Sequence, residues 1–231
     1  MTAAGPPEAR FIVLEGIDGV GKTTQVALLG RWLKAAGIPH VTTREPGGTP
    51  VGEAIREVVL SRTDLDMPAE SELLLILAAR AAFVRDVVRP ALAAGKTVVA
   101  DRFSLSTLAY QGYGRGLDLD RVRDAIALAT GGLSPDLYLV MDLPVEVSRE
   151  RQRRQGGVAD RIERQGGGFR AAVREGYLAL AESERAVEVV DARGGPDEVH
   201  EQVRRRLAAR FPSTFPSTSP STGATESERA G

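Results

Sequence analysis

FIVLEGIDGVGKTT, residues 11–24, runs from an unbroken apolar stretch through three glycines to a lysine and two threonines. FIVLE shows no polar alternation before Glu15, the pattern of a strand buried on both faces. GIDGVGKT (16–23) then matches G-x-x-x-x-G-K-[ST] between a strand and a helix, the setting that this motif requires. Gly16, Gly19 and Gly21 permit backbone conformations that turn successive N–H groups inward, and the start of the following helix adds positive character. Lys22 supplies a charge for β- and γ-phosphates, and the Thr23 hydroxyl suits a magnesium ion. Gly16, Ile17, Asp18, Gly19, Val20, Gly21, Lys22, Thr23 and Thr24 together read as a nucleoside triphosphate site. An ordinary glycine-rich turn would leave the complete set of motif positions unexplained. The motif does not name the acceptor, because kinases, GTPases and motors share it.

Working outward, short runs rich in Val, Ile and Leu recur: HVTTRE (40–45), TVVAD (97–101), LYLVMD (137–142) and VEVVD (187–191). Helical patterns lie between and around them at 22–36, 51–61, 69–94, 119–130, 145–154, 168–185 and 196–210. This alternation predicts a P-loop NTPase α/β fold, a three-layer sandwich with a five-stranded parallel sheet and helices on both faces. Ligands are then expected at the carboxyl ends of the strands. Several strands end in carboxylates, Glu15, Glu45, Asp101, Asp142 and Asp191. Each either faces that crevice or caps the next turn.

At 231 residues the chain suits one domain, expected over 10–211, with a flexible start at 1–9. From about Phe211 the composition turns to Pro, Ser and Thr, and 212–231 is expected to be a disordered tail. Thirty basic against 31 acidic residues leave no global field for a nucleic-acid backbone. The absence of cysteine excludes disulfides, cysteine-ligated zinc and a thiol nucleophile, and fits a reducing compartment. No signal peptide or membrane-length apolar run is visible, so a soluble, cytoplasmic protein is expected. His40 and His200 have no neighbouring sequence pattern that suggests catalysis and read as surface residues, and Trp32 reads as packing.

Five blocks carry a family resemblance: EGIDGVGKTTQ (15–25), TREPGGT (43–49), AAR (78–80), DRFSLSTLAYQGYGRG (101–116) and DRIE (160–163). In order and spacing, over roughly residues 10–210, they resemble bacterial thymidylate kinases. The residues also speak for themselves. Arg44 and Glu45 end a strand before a Pro-Gly-Gly turn that lets backbone approach a ligand closely. Arg80 sits on an apolar helix and must snorkel to solvent or meet an anion. Asp101 and Arg102 end a buried strand, with a carboxylate for a magnesium-bound water and a guanidinium for a phosphate. Capping remains open for Asp101, as a turn-stabilising role does for Asp18.

The resemblance implies transfer of the γ-phosphoryl of ATP to the 5′-phosphate of dTMP, with Mg²⁺ at Thr23 and Asp101. It implies an acceptor site of Arg44, Glu45, Pro46, Ile76, Arg80, Arg102, Ser106, Thr107, Tyr110 and Gln111. Thr107 is expected to reach the base edge and Tyr110 to crowd the 2′ position. Asp18 is expected to face the sugar or the transferred phosphate. Ile76 stands where many relatives carry phenylalanine, and an aliphatic cover forfeits about 0.5–1.5 kcal/mol of aromatic geometry. A homodimer is expected through the long apolar helix 69–94.

The remaining feature is RERQRRQGGVADRIE, 149–163, the core of an expected lid spanning about 149–166. Some relatives place an arginine at the P-loop position held here by Gly19, and others place it in a mobile lid. With glycine in the loop this chain resembles the second type. Arg151 and Arg153 are the leading candidates, with Arg149, Arg154 and Arg161 as alternates. Loss of such an arginine costs about 10³–10⁵ in turnover, roughly 4–7 kcal/mol. Helical pairing with Glu146 and Glu150 absorbs part of the cluster, at about 0.2–0.5 kcal/mol per pair. The competing readings are another nucleoside monophosphate or deoxynucleoside kinase on this scaffold, and a nucleotide-dependent regulatory switch.

Overall fold

The computed structural model describes residues 8–156, 161–162 and 165–216. Positions 1–7 of the flexible start expected at 1–9, lid positions 157–160 and 163–164, and tail positions 217–231 lie outside the described residues. Five parallel strands form one sheet: β1 (Phe11–Glu15), β2 (His40–Arg44), β3 (Thr97–Asp101), β4 (Leu137–Asp142) and β5 (Val187–Asp191). Their order is β2-β3-β1-β4-β5. Every residue of β1 and β3 is buried, so both sheet faces are covered, as their uninterrupted apolar sequences require. The half-exposed pattern of β2 reflects its place at the sheet edge.

The helices are α1 (Lys22–Ala35), α2 (Pro50–Arg56), α3 (Ala69–Phe83), α4 (Arg89–Ala93), α5 (Ser104–Thr107), α6 (Leu119–Thr130), α7 (Val145–Gln155), α8 (Gly167–Ser183) and α9 (Pro196–Arg210). Wide helical turns extend α2 over Glu57–Ser61, join α3 to α4 over Val84–Val88, and extend α5 over Leu108–Gly114. The chain steps from β1 outward to β2, back to β3, and then crosses to β4 on the other side of β1. A crevice therefore opens at the carboxyl end of β1, where the winding reverses.

Two local expectations change. Residues 104–114, without a helical reading in the sequence, form a helix that starts directly after β3. The disordered tail expected from 212 is corrected at its start, because Thr214 and Phe215 are buried. Phe215 stacks on Trp32 of α1 at 5.9 Å and meets Phe211 edge-on at 6.1 Å, while Thr214 Oγ1 donates to the Glu8 carbonyl. One aromatic ring provides enough apolar area to order a segment that Pro, Ser and Thr alone would leave solvated. His200 likewise is half-buried, edge-on to Trp32, rather than a surface residue. Phe215→Ala is expected to cost about 3 kcal/mol of stability in urea unfolding. A loss below about 0.5 kcal/mol, typical of surface positions, would show that the ring is not part of the core.

Candidate functional site

Lys22 opens α1 with its side chain folded back over the loop, donating from Nζ to the Gly16 and Ile17 carbonyls at 3.0 Å each. Asp18 Oδ1 lies 3.8 Å from the same Nζ. Gly16 and Gly19 have φ of 130° and 84°, conformations that side chains resist. Space also excludes a side chain there. A Cβ on Gly16 would stand 2.5 Å from the Met141 carbonyl oxygen, and one on Gly19 2.7 Å from that of Ser148 in α7.

Asp101 and Arg102 are consecutive, yet both side chains enter the same crevice. An extended strand would send them to opposite faces. Arg102 resolves this with φ 74°, a left-handed conformation that costs a non-glycine residue about 1–2 kcal/mol. Asp101 Oδ2 then accepts from Thr23 Oγ1 at 2.8 Å. Arg102 forms an ion pair with Asp18 and donates to the Gly16 carbonyl, Ser106 Oγ and the hydroxyls of Tyr110 and Tyr177. Burial disfavours the Asp18 charge, but Arg102, Lys22 and the Tyr110 hydroxyl outweigh it and hold the carboxyl at about 2.

Two clefts meet at this pair. One is bounded by Gly19, Gly21, Lys22, Thr23, Thr24, Asp101 and Gln152, and Arg44 stands at its edge. The second is an open cleft that holds about 100 Å³. Pro46, Leu60, Ile76, Tyr110 and Ile162 supply its apolar walls, and Arg80, Ser106, Thr107 and Gln111 its polar ones. Asp18, Glu45, Arg56 and Arg102 border both clefts. The predicted acceptor residues are thus brought together, except Arg44, which lines only the phosphate cleft and pairs with Glu53 at 3.1 Å.

Arg80 neither snorkels nor waits unpaired. Only 2% exposed, it donates to Glu45 Oε2 (2.8 Å), Thr107 Oγ1 (2.8 Å) and the Phe103 carbonyl (3.0 Å). Below the clefts, buried Glu15 accepts from the Phe103 and Ser106 amides and from the Tyr177 hydroxyl. It thereby ties the end of β1 to the start of α5. Arg56, Glu72 and Tyr177 were not legible as site residues, and the partners of Glu72 and Tyr177 lie far away in sequence. For Arg56 a signal existed: a lone arginine on a predicted helix just after the REPGGT turn.

The arginine cluster divides. Arg151 donates to the carbonyls of Ala192, Arg193 and Gly194 at 3.0–3.4 Å, beside a hollow that Gly19, Gly21 and Thr24 also line. Arg153, 75% exposed, and Arg154 both pair with Glu150, and among the described residues neither lines the two clefts or this hollow. Arg161, an alternate for the phosphates, is instead buried against Glu72 and donates to the Val59 carbonyl at 2.8 Å.

Thr23 and Asp101 offer two adjacent oxygen groups, the donor type that magnesium takes alongside phosphate and water. Among the described residues no group of three His, Cys, Asp or Glu could hold a metal ion, so a cation here would depend on the phosphates for further ligands.

Glu45 Oε2 pairs with Arg80, but the buried Oε1 has no partner among the described residues. Burial, opposed by Arg80, pushes its pKa up from 4.5 to about 7. Between those values the folded chain holds a proton that the unfolded chain has released. The group's contribution to stability therefore falls as pH rises through that window and levels off above it. Glu45→Gln removes the titration. In urea unfolding the stability of the wild type relative to this variant should decline from pH 5 to pH 8, and a pH-independent difference would contradict the assignment.

The thymidylate kinase family model matches residues 14–203. The thymidylate kinase of Pelotomaculum thermopropionicum is 50% identical over 194 residues, covering 84% of this chain and 90% of its own. That of Synechococcus sp. (strain RCC307) is 49% identical over 202 residues, covering 84% and 93%. The crystal structure of thymidylate kinase from Ehrlichia chaffeensis aligns with a TM-score of 0.71 at 30% identity, covering 87% of this chain and all of that one. A phosphate loop joined to a second cleft through Asp18 and Arg102, a parallel sheet in this order, and similarity over most of the length lead to one conclusion: the chain belongs to the thymidylate kinase family.

Proposed function

We infer that the protein phosphorylates dTMP to dTDP, with ATP as phosphoryl donor. The observation that carries this reading is the junction of the two clefts. A phosphate cradle opens directly onto a second, mostly apolar site, and the four residues shared between them include two arginines, Arg56 and Arg102. Two polyanions must approach each other in such a reaction, and catalysis consists mainly of positioning and charge neutralisation. The acceptor phosphate is already ionised near neutral pH, so no general base is needed.

Within this reading Lys22 and the loop amides hold the donor phosphates. Arg102 turns part of its donor fork from Asp18 to the 5′-phosphate, assisted by Arg56. Asp18, freed of part of its pairing, accepts from the acceptor sugar, and Tyr110 fills the space that a 2′-hydroxyl would need. Thr107, Gln111 and Arg80 meet the base edge, with Ile76 across the ring. Thr23 and Asp101 would hold Mg²⁺, which when bound neutralises charge between the donor phosphates. Arg151, beside the P-loop, is the arginine we assign to ATP, and Arg153 serves the solvent face through Glu150.

Two copies are inferred to pair through α3 and α6. These helices pack on each other and leave Leu74 and Leu128 exposed by 65% and 86%. No helix of the described residues is long and apolar enough to cross a membrane. That and the cysteine-free sequence fit a cytoplasmic site of action. A regulatory switch would have no use for the second cleft.

With ATP and magnesium, dTMP should be the best acceptor among dTMP, dUMP, UMP, AMP and thymidine. Loss of the methyl group costs about 1–3 kcal/mol, which makes dUMP the second substrate. ADP formation independent of every acceptor would overturn the reading. Arg151→Ala should lower turnover by about 10³ or more, and Arg153→Ala by less than about tenfold, since exposed ion pairs contribute little. Equal losses would withdraw the assignment of Arg151.

A further inference from the structure

Glu72, in the first turn of α3, is fully buried and accepts four hydrogen bonds. Gln111 Nε2 (2.9 Å) and Arg115 Nε (3.2 Å) donate to its Oε1. Arg115 Nη2 (2.9 Å) and Arg161 Nη2 donate to its Oε2. Burial opposes the charge, but these donors outweigh it and lower the pKa below the ordinary carboxylate value. Glu72 is therefore ionised at neutral pH, and an ionised carboxylate only accepts hydrogen bonds.

That restriction determines what Gln111 presents to the acceptor cleft. Its amide nitrogen must face Glu72, because the amide oxygen there would repel. The oxygen is left for the cleft that Gln111 lines, and it accepts no hydrogen bond among the described residues. An amide oxygen selects a donor. Thymine and uracil carry a ring N–H at the position where cytosine carries a bare ring nitrogen, an acceptor. The same carboxylate holds Arg161, whose backbone amide donates to the Leu60 carbonyl at 2.9 Å. Leu60 and Ile162, the neighbours of these two groups, are walls of the same cleft.

We propose that Glu72 is a positioning residue for the acceptor base: it fixes the Gln111 amide in one orientation, anchors Ile162 through Arg161, and so selects a base with a ring N–H over one with a ring acceptor. The proposal rests on the dTMP kinase reading and adds a residue that need not touch the nucleotide. Arg161 acts here as a fastener rather than as a phosphate ligand.

The test is kcat/KM for dTMP and for dCMP, with KM for ATP measured alongside, in the wild type, Glu72→Gln and Glu72→Asp. A neutral amide at 72 can donate or accept, so Gln111 is free to turn over. Glu72→Gln should reduce the dTMP:dCMP ratio by about tenfold, raise KM for dTMP, and leave KM for ATP within about twofold. Glu72→Asp keeps an acceptor-only group and should retain the ratio even where it lowers Tm. A Glu72→Gln enzyme that weakens on both acceptors by one factor would overturn the proposal and leave Glu72 a structural residue. Should that variant fail to fold, Arg161→Lys supplies the reading. It should raise KM for dTMP several-fold with KM for ATP unchanged, and no change in KM for dTMP counts equally against the proposal. A wild-type enzyme inactive on dTMP sinks the kinase reading instead.

Discussion

Arg102 and Asp18 form the ion pair on which the site is assembled. An arginine and an aspartate taken out of water are stable only when each is matched by charge and hydrogen bonds. Here the match is supplied by separate pieces of chain: the P-loop through Asp18 and Gly16, the helix after β3 through Ser106 and Tyr110, and α8 through Tyr177. The pair therefore clamps three elements around a single guanidinium. It also keeps that guanidinium desolvated and oriented at the junction of the two clefts, which is the condition under which a charge acts most strongly. The left-handed backbone at Arg102 is the strain that this arrangement carries.

Buried carboxylates play two opposite parts around it. Glu15 and Glu72 have every oxygen occupied and act as fasteners, one beneath the phosphate loop and one behind Gln111 in the wall of the second cleft. Glu45, with one buried oxygen unpartnered, sits at the junction of the clefts. Satisfied groups make the walls rigid, and the unsatisfied one lies where ligand groups arrive.

The sheet was legible because its signals are local. Each of the five apolar runs became a strand within a residue of its reading, and the P-loop and REPGGT turns lie where their spacing put them. The helix over 104–114 was not, since Gly112 and Gly114 interrupt its pattern. Its glycines are required instead by close packing, where a Cβ would meet Leu119 and Phe169. Charge counting in 149–163 could not show what Arg151 and Arg161 meet. Their partners, the carbonyls after β5 and Glu72 on α3, are between 41 and 89 residues away. The same holds for Phe215, whose order derives from Trp32 at the other end of the chain.

Gly19 carries a consequence for how such enzymes can diverge. A Cβ there would run into the backbone of α7 at Ser148, the helix that also bears Arg151. Loop and helix thus compete for the same volume. An arginine gained in the loop could not simply be added to the one on the helix, because the helix would have to withdraw first. A side chain at position 19 and the present seat of α7 are separated by a steric barrier rather than a gradient, and the one could be gained only through coordinated change in both segments.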